Sequence, residues 1–390
     1  MMPNYYEFFC PVKVISGKKA LSNLTYEMDQ LGVHRAMVVT DKGVVGAGLM
    51  KLVAASFEGS GCTIGAVYDQ TPQDSSVKVV NQVAKLYADN QCDCFVAVGG
   101  GSVIDTTKGA NIVVTEGSDD LMKFQGAERI KKPTKPFIVI PTTAGTGSEV
   151  TMAAVIHDEE RHVKLALTSY RIFPNLAILD PKMTVTMPAK ITAATGMDAL
   201  THAVEAYYCL QKNPISDAFA ICAIQLIMEY LPKCTQNGND EESRLAMANA
   251  ALVAGMSFSN SMCGMVHGLA HACGGVSRVP HGVANGILLP WGMEYNLGKA
   301  GNIIAELAPY LGASTSGGPP DRAKAAIQAV RDLGKRLKEL SQLPTTLKDA
   351  GVTEDKLEAI AKVAINDGTI TYNPEEVTYE DALAVLKKAF

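Results

Sequence analysis

Asp198, His202, His267 and His281 are the residue types that close around one divalent metal. Asp198 and His202 lie in ITAATGMDALTHAVEAY, whose apolar residues recur at helical spacing. Positions i and i+4 share a helix face, so the carboxylate and the imidazole can point at one spot. His267 belongs to SMCGMVHGLAHACGG, and His281 follows Pro280 in the turn SRVPHGVANG. Of the seven histidines in the chain, four (202, 267, 271 and 281) fall in this stretch, so the imidazoles concentrate near the carboxylate. Three imidazoles and one carboxylate suit a first-row transition ion and can leave a position open for a substrate oxygen. The alternative is a set of helix histidines satisfied by backbone or water. His271, one turn after His267 on the same face, is either a proton relay that orients the substrate oxygen or a structural support of its neighbours.

A second chemistry is written in two polar turns. FVAVGGGSVIDTTKGANIV reads as a strand, a glycine turn and a helix, with Gly99, Gly100 and Gly101 followed by Ser102. Bare glycines let the backbone approach a ligand, and free amides at a helix start attract phosphate, with Ser102 adding a hydroxyl. The spacing is not G-x-G-x-x-G, and a plain tight turn between strand and helix would look the same. IPTTAGTGSEVT sets five hydroxyls and two glycines directly after another strand, where they can fold around phosphates or a ribose. Asp41 ends an earlier strand, RAMVVTD. An acid there can take the ribose hydroxyls and would repel a 2′-phosphate, favouring NAD over NADP; it can equally be the cap of the helix that follows.

The elements that must position these residues fall into two halves. Up to about residue 188, short β-rich runs (35–41, 62–69, 94–102, 136–148, 176–181) alternate with amphipathic helical stretches (45–61, 77–90). VIHDEERHVKLAL reads as a hairpin. The alternation predicts an α/β domain built on a parallel sheet covered on both faces. From about Pro188 the helical period takes over: 192–210, 215–231, 240–259, 262–274, 282–297, 319–341 and 378–389. The expected organisation is an α/β domain over 1–188 and an all-α domain over 189–390 that carries the metal-ligating residues, with chemistry in a cleft between them.

Composition agrees with a folded, globular protein. The 390 residues are 47% hydrophobic and only 19% charged, enough to bury a large core. A net charge of −5 gives no basic footprint for nucleic acid. Nine scattered cysteines, with Cys92 and Cys94 one residue apart, do not form a disulfide framework and point to reduced thiols. The start MMPNYYEFFCPVKVISG lacks the plan of a signal peptide, and no apolar run approaches the ~20 residues of a membrane span, so a soluble cytoplasmic protein is expected.

GGGSVIDTTKG, PTTAGTGSEVT, TGMDALTHAVEAY, NPISDAFA and VHGLAHACGGVSRVPHGVANGILLP, in this order, resemble the iron-containing (group III) alcohol dehydrogenases. The similarity runs from EFFCPVKVISG to the end of the chain. The resemblance implies a dinucleotide-binding α/β domain, a helical metal-binding domain, and a homodimer or larger homo-oligomer. It puts the metal on Asp198, His202, His267 and His281, and the cofactor contacts on Asp41, Gly99 to Ser102, Asp105, Thr142, Thr143, Thr146, Ser148, Thr151 and Lys164. Phe258 and Thr369 would line the substrate pocket.

The implied activity is reversible hydride transfer between NAD(H) and a small alcohol or aldehyde, with the cation as Lewis acid on the substrate oxygen. Zinc would outcompete ferrous iron on affinity alone, so iron rests on the resemblance and zinc remains the alternative. Three departures bear on the substrate: Gln73 and Asp74 in place of an Asn-Pro pair, the small Ala153 and Ala154, and Arg278 near the last histidine. A guanidinium there would suit an anionic short aldehyde such as sulfoacetaldehyde, unless Arg278 points to solvent. A lyase of the dehydroquinate synthase type also joins NAD to a metal, but TGMDALTHAVEAY and PHG argue against it.

Overall fold

A computed structural model describes residues 3–161 and 163–390. It divides into two compact units, Phe9–Thr186 and Met187–Phe390, the latter with the first residues up to Phe8.

The first unit is built on a parallel sheet. Its strands are β1 (Lys13–Ser16), β2 (Arg35–Val39), β3 (Thr63–Tyr68), β4 (Cys94–Gly99), β6 (Phe137–Pro141) and β9 (Leu176–Leu179), in the order β1-β9-β6-β4-β2-β3. Helices α1 (Leu24–Gln30), α2 (Lys42–Gly46), α3 (Leu49–Ala55), α4 (Val77–Asp89) and α5 (Gly101–Glu116) connect them. The central strands are buried on both faces, as parallel strands covered by helices must be. Met37, Val39, Phe95, Ala97, Phe137 and Val139 pack into one core with α4 and α5. Ala36, Val38, Val96, Val98, Ile138 and Ile140 turn the other way, against α1 and α3. A small second sheet joins β5 (Gly126–Ala127) to β8 (Val163–Thr168) and β7 (Ala153–Asp158), the last two antiparallel as the expected hairpin. His162 of that hairpin lies outside the described residues, as do the first two residues of the chain.

From β2 the chain steps to β3 on one side, and β4 then lies on the other side of β2. This reversal is a topological switch point, where the ends of parallel strands open a crevice for ligands. Asp41 follows β2 and the glycine turn follows β4, so both stand at that crevice; the threonine turn follows the adjacent β6.

The second unit is helical among the described residues: α6 (Ala189–Tyr208), α7 (Pro214–Gln236), α8 (Glu241–Ser261), α9 (Met265–Ser277), α10 (His281–Tyr295), α11 (Leu297–Glu306), α12 (Pro319–Ser341), α13 (Leu357–Ala364) and α14 (Tyr379–Ala389). One expectation is corrected here. Helix α7, 23 residues with a mean hydropathy of 1.3, is long and apolar enough to cross a membrane by length and composition. Asp217, Glu229 and Lys233 interrupt the run in the sequence and hide its length. The helix buries Ala220, Ala223, Ile224, Ile227 and Leu231 beside α6 and α8 and leaves most of its remaining surface less buried.

Candidate functional site

Asp198, His202, His267 and His281 each bring a ligand atom to within 4.8 Å of the others. Helix α6 supplies the first two from adjacent turns, and they keep only 2% and 4% of their surface. His267 comes from the first turn of α9, and His281 opens α10 after Pro280, whose extended backbone (φ −57°, ψ 135°) turns the chain into the helix. Gly282 allows this close entry. A Cβ there would stand 2.4 Å from the Ala194 carbonyl oxygen and 3.3 Å from the Asp198 Cβ. The imidazoles are stacked or tilted against each other, His202 and His267 with centroids 4.5 Å apart, His267 and His281 5.5 Å.

The electrostatics suit a cation. Burial alone would raise the Asp198 carboxyl, but the three imidazoles and the Asn285 amide hold it below the ordinary carboxylate range. His281 moves down instead. The loss of water around its ring favours the neutral form, the neighbouring imidazoles add to this, and Asp198 opposes it. Asn285, one turn after His281, is fully buried. Its Nδ2 faces Asp198 Oδ1 at 2.7 Å, His281 Nε2 at 3.1 Å and His267 Nε2 at 3.3 Å. Three acceptors thus crowd an amide that has two hydrogens. The amide Oδ1 is buried and takes no hydrogen bond among the described residues. A pocket walled by lone pairs around one point is a donor set that a divalent cation satisfies.

His271 lies beside the quartet, its ring stacked on His281 at 5.2 Å with 38% of the side chain exposed. Its Nδ1 meets Asp367 Oδ2 at 2.8 Å, and the other carboxylate oxygen accepts from the Thr369 amide and hydroxyl. Burial would raise the Asp367 carboxyl; His271 and Thr369 outweigh it and hold it well below the carboxylate range. Thr369 is thereby occupied with Asp367. Phe258 stacks on His202 at 4.1 Å, an apolar wall for the cluster. Arg278 closes α9 in the left-handed conformation (φ 56°), with its side chain exposed to solvent.

In the first unit the two polar turns meet. A Cβ on Gly100 would lie 3.1 Å from Thr143 Oγ1, and one on Gly101 would lie 2.9 Å from Thr146 Cγ2, so only bare backbone lets them nest. Thr142 donates its amide to the Gly99 carbonyl. Helix α5 starts without a side-chain cap, leaving its first amides for a ligand, whereas Asp41 and Ser76 cap α2 and α4. An uncapped start at a switch point fits a dinucleotide pyrophosphate. Ser102 directs its hydroxyl at the Gln73 carbonyl, in the segment where the sequence departs from an Asn-Pro pair.

Other expected contacts serve the scaffold. Asp105 accepts from Ser148 Oγ at 2.9 Å and from the Val155 amide at 3.0 Å. Lys108, which the sequence did not single out, is 1% exposed. Its ammonium reaches the carbonyls of Ser148, Thr151 and Ala153 and the hydroxyls of Ser148 and Thr151. Asp41 Oδ1 accepts the Val44 amide at 2.9 Å. Lys164 stands exposed in β8 opposite His157.

Comparison with known proteins meets this geometry at both units. The family model for iron-containing alcohol dehydrogenase matches residues 11–181, and the C-terminal model of the Fe-containing alcohol dehydrogenase family matches residues 192–390. The NAD-dependent methanol dehydrogenase of Bacillus methanolicus is 37% identical over 98% of this chain and 99% of its own. A crystal structure of 1,3-propanediol oxidoreductase superposes with a TM-score of 0.95 at 36% identity, over 99% of this chain and all of that one. Sulfoacetaldehyde reductase from Bifidobacterium kashiwanohense, solved in complex with NAD+, gives 0.88 at 28% identity, over 99% of each chain. With both halves matched along their length, the chain belongs to the iron-containing alcohol dehydrogenase family and is an oxidoreductase.

Proposed function

We propose that this chain catalyses reversible hydride transfer between NAD(H) and a small alcohol or aldehyde. The unit Phe9–Thr186 holds the dinucleotide, and the helical unit holds a divalent metal on Asp198, His202, His267 and His281. The observation that carries this reading is the convergence of four ligand atoms on one point, from three buried residues and the partly exposed His281, three of these atoms already crowding the Asn285 amide. When bound, the cation supplies Lewis-acid stabilisation of the substrate oxygen, and the nicotinamide supplies the hydride acceptor.

The remaining work belongs to side chains. Asp367 accepts the Nδ1 proton of His271, so the neutral ring offers its Nε2 lone pair as the base for a hydroxyl proton. Partial exposure of His271 gives that proton a way to solvent. Phe258 presents an apolar face that favours a short alkyl chain over a bulky polar one. Asp41 keeps one oxygen beyond its cap bond for a ribose hydroxyl. The nine cysteines are all free, which suits a reducing cytoplasm.

The test is a chelated protein reloaded with ferrous iron or zinc in separate samples. NADH absorbance is then followed across a panel of short alcohols and aldehydes. Turnover that disappears with the metal and returns on reloading is the expected result. Full turnover in metal-free protein, or a flat trace across the whole panel, overturns the reading.

A further inference from the structure

Glu205 has no part in the chemistry above, yet it is fully buried beside the site. It sits on α6 seven residues after Asp198 and three after His202, so all three share a helix face. Its Oε1 accepts the Val266 amide at 2.8 Å, and the Tyr208 hydroxyl approaches the same oxygen at 3.4 Å. Oε2 accepts the His267 amide at 3.2 Å and meets the His267 ring Nδ1 at 2.6 Å. Helix α9 has no side-chain cap of its own, so a carboxylate from α6 takes over two of its first amides. Gly264 leaves the space for this, since a Cβ there would stand 2.9 Å from Glu205 Oε1.

We propose that Glu205 is a positioning residue for the metal. By capping α9 and holding the His267 ring with one carboxylate, it fixes the imidazole tautomer whose Nε2 lone pair faces Asp198 and His281. The inference rests on the reading of His267 as a ligand. A carboxylate only accepts, so the ring nitrogen beside it carries the proton. The other side of the ring is compatible with that tautomer. Asn285 Nδ2 stands 3.3 Å from His267 Nε2 and can only donate to it. Reversing that amide would set its oxygen against the Asp198 carboxylate, acceptor facing acceptor. Glu205 and Asp198 together also supply the two negative charges that balance a divalent cation in a buried site.

Histidine nitrogen spectra of the metal-free protein, recorded above the histidine titration range, read the tautomer directly. The proposal expects His267 protonated at Nδ1; a dominant Nε2–H form in the unmodified protein overturns it. Glu205→Gln offers one acceptor oxygen where the carboxylate offers two, and it removes the charge that favours Nδ1–H in either amide orientation. Metal affinity in a chelator competition should fall by about 10–100-fold, the usual effect of losing an outer-shell partner, and the Nε2–H form should become populated. His267→Ala in the same competition separates the two readings. If it binds metal as the parent does, the ligand assignment fails. If it loses metal while Glu205→Gln keeps parental affinity and the parental tautomer, Glu205 is only a helix cap. The spectra of the unmodified protein decide the question even if the glutamine variant does not fold.

Discussion

A carboxylate and imidazoles that turn ring nitrogens and oxygens toward one point are expensive to bring together without a cation, because lone pairs that lose water face one another. Asn285 relieves part of that cost, and it can offer only two hydrogens to the three acceptors around it. Asp41 is a different case, since one of its oxygens already works as a cap for Val44. Both readings of this residue therefore hold together, and a substitution can separate them. Asp41→Gly should cost only a few tenths of a kcal/mol in helix capping. It should also move kcat/KM toward NADP by about tenfold or more, because a carboxylate some 5 Å from a 2′-phosphate repels it by about 3 kcal/mol at an effective dielectric of ~20. An unchanged cofactor preference would leave Asp41 as a cap alone. The cluster of Asp198, His202, His267 and His281 was legible in the sequence because few residue types ligate, and i, i+4 spacing brings two of them together. Glu205 and Lys108 were not, although both lie inside the motifs. A glutamate or lysine in a helix usually faces water, and only the fold reveals that these two are buried.

At the scale of elements, the glycine and threonine turns are tied together by Lys108 on α5. Its single ammonium gathers five oxygens from Ser148, Thr151 and Ala153, pinning the threonine turn to the helix whose start is proposed to meet the phosphates. Lys108→Met leaves those acceptors buried without their shared donor. It should cost about 3–5 kcal/mol, as removal of one partner from a buried charged network does. NADH affinity, read by fluorescence, should fall together with the urea midpoint. Parental values for both would mean the ammonium anchors nothing. The alternation of strands and helices was readable from period alone, but three details were not. Strand β1 is four residues long and half-exposed, so it carries no apolar run, and its place beside β9 is purely tertiary. The stretch read as one helix from 45 to 61 falls on two, broken where Gly48 takes φ 76°. Helix α11 begins at once after α10, Asn296 ending one and starting the other, so the pattern offered no loop to mark it.

At the scale of the whole molecule, the two proposed ligand sets are carried by separate compact units. Each ligand should therefore stabilise its own unit, and hydrogen exchange can follow the two separately. A metal present at 100 times its Kd adds about 2.7 kcal/mol to the state that binds it. That free energy should appear as slower exchange in α6, in the first turns of α9 and α10, and at the amides of Val266 and His267 that Glu205 holds. NAD should instead slow exchange at the start of α5 and through residues 142–151, where the glycine and threonine turns nest. Chelation should reverse the first pattern and leave the second in place, because no metal-ligating side chain proposed here lies in Phe9–Thr186. Protection by metal confined to the α/β unit, or no protection in α6 and α9 at saturating metal, would show that the quartet does not hold the ion.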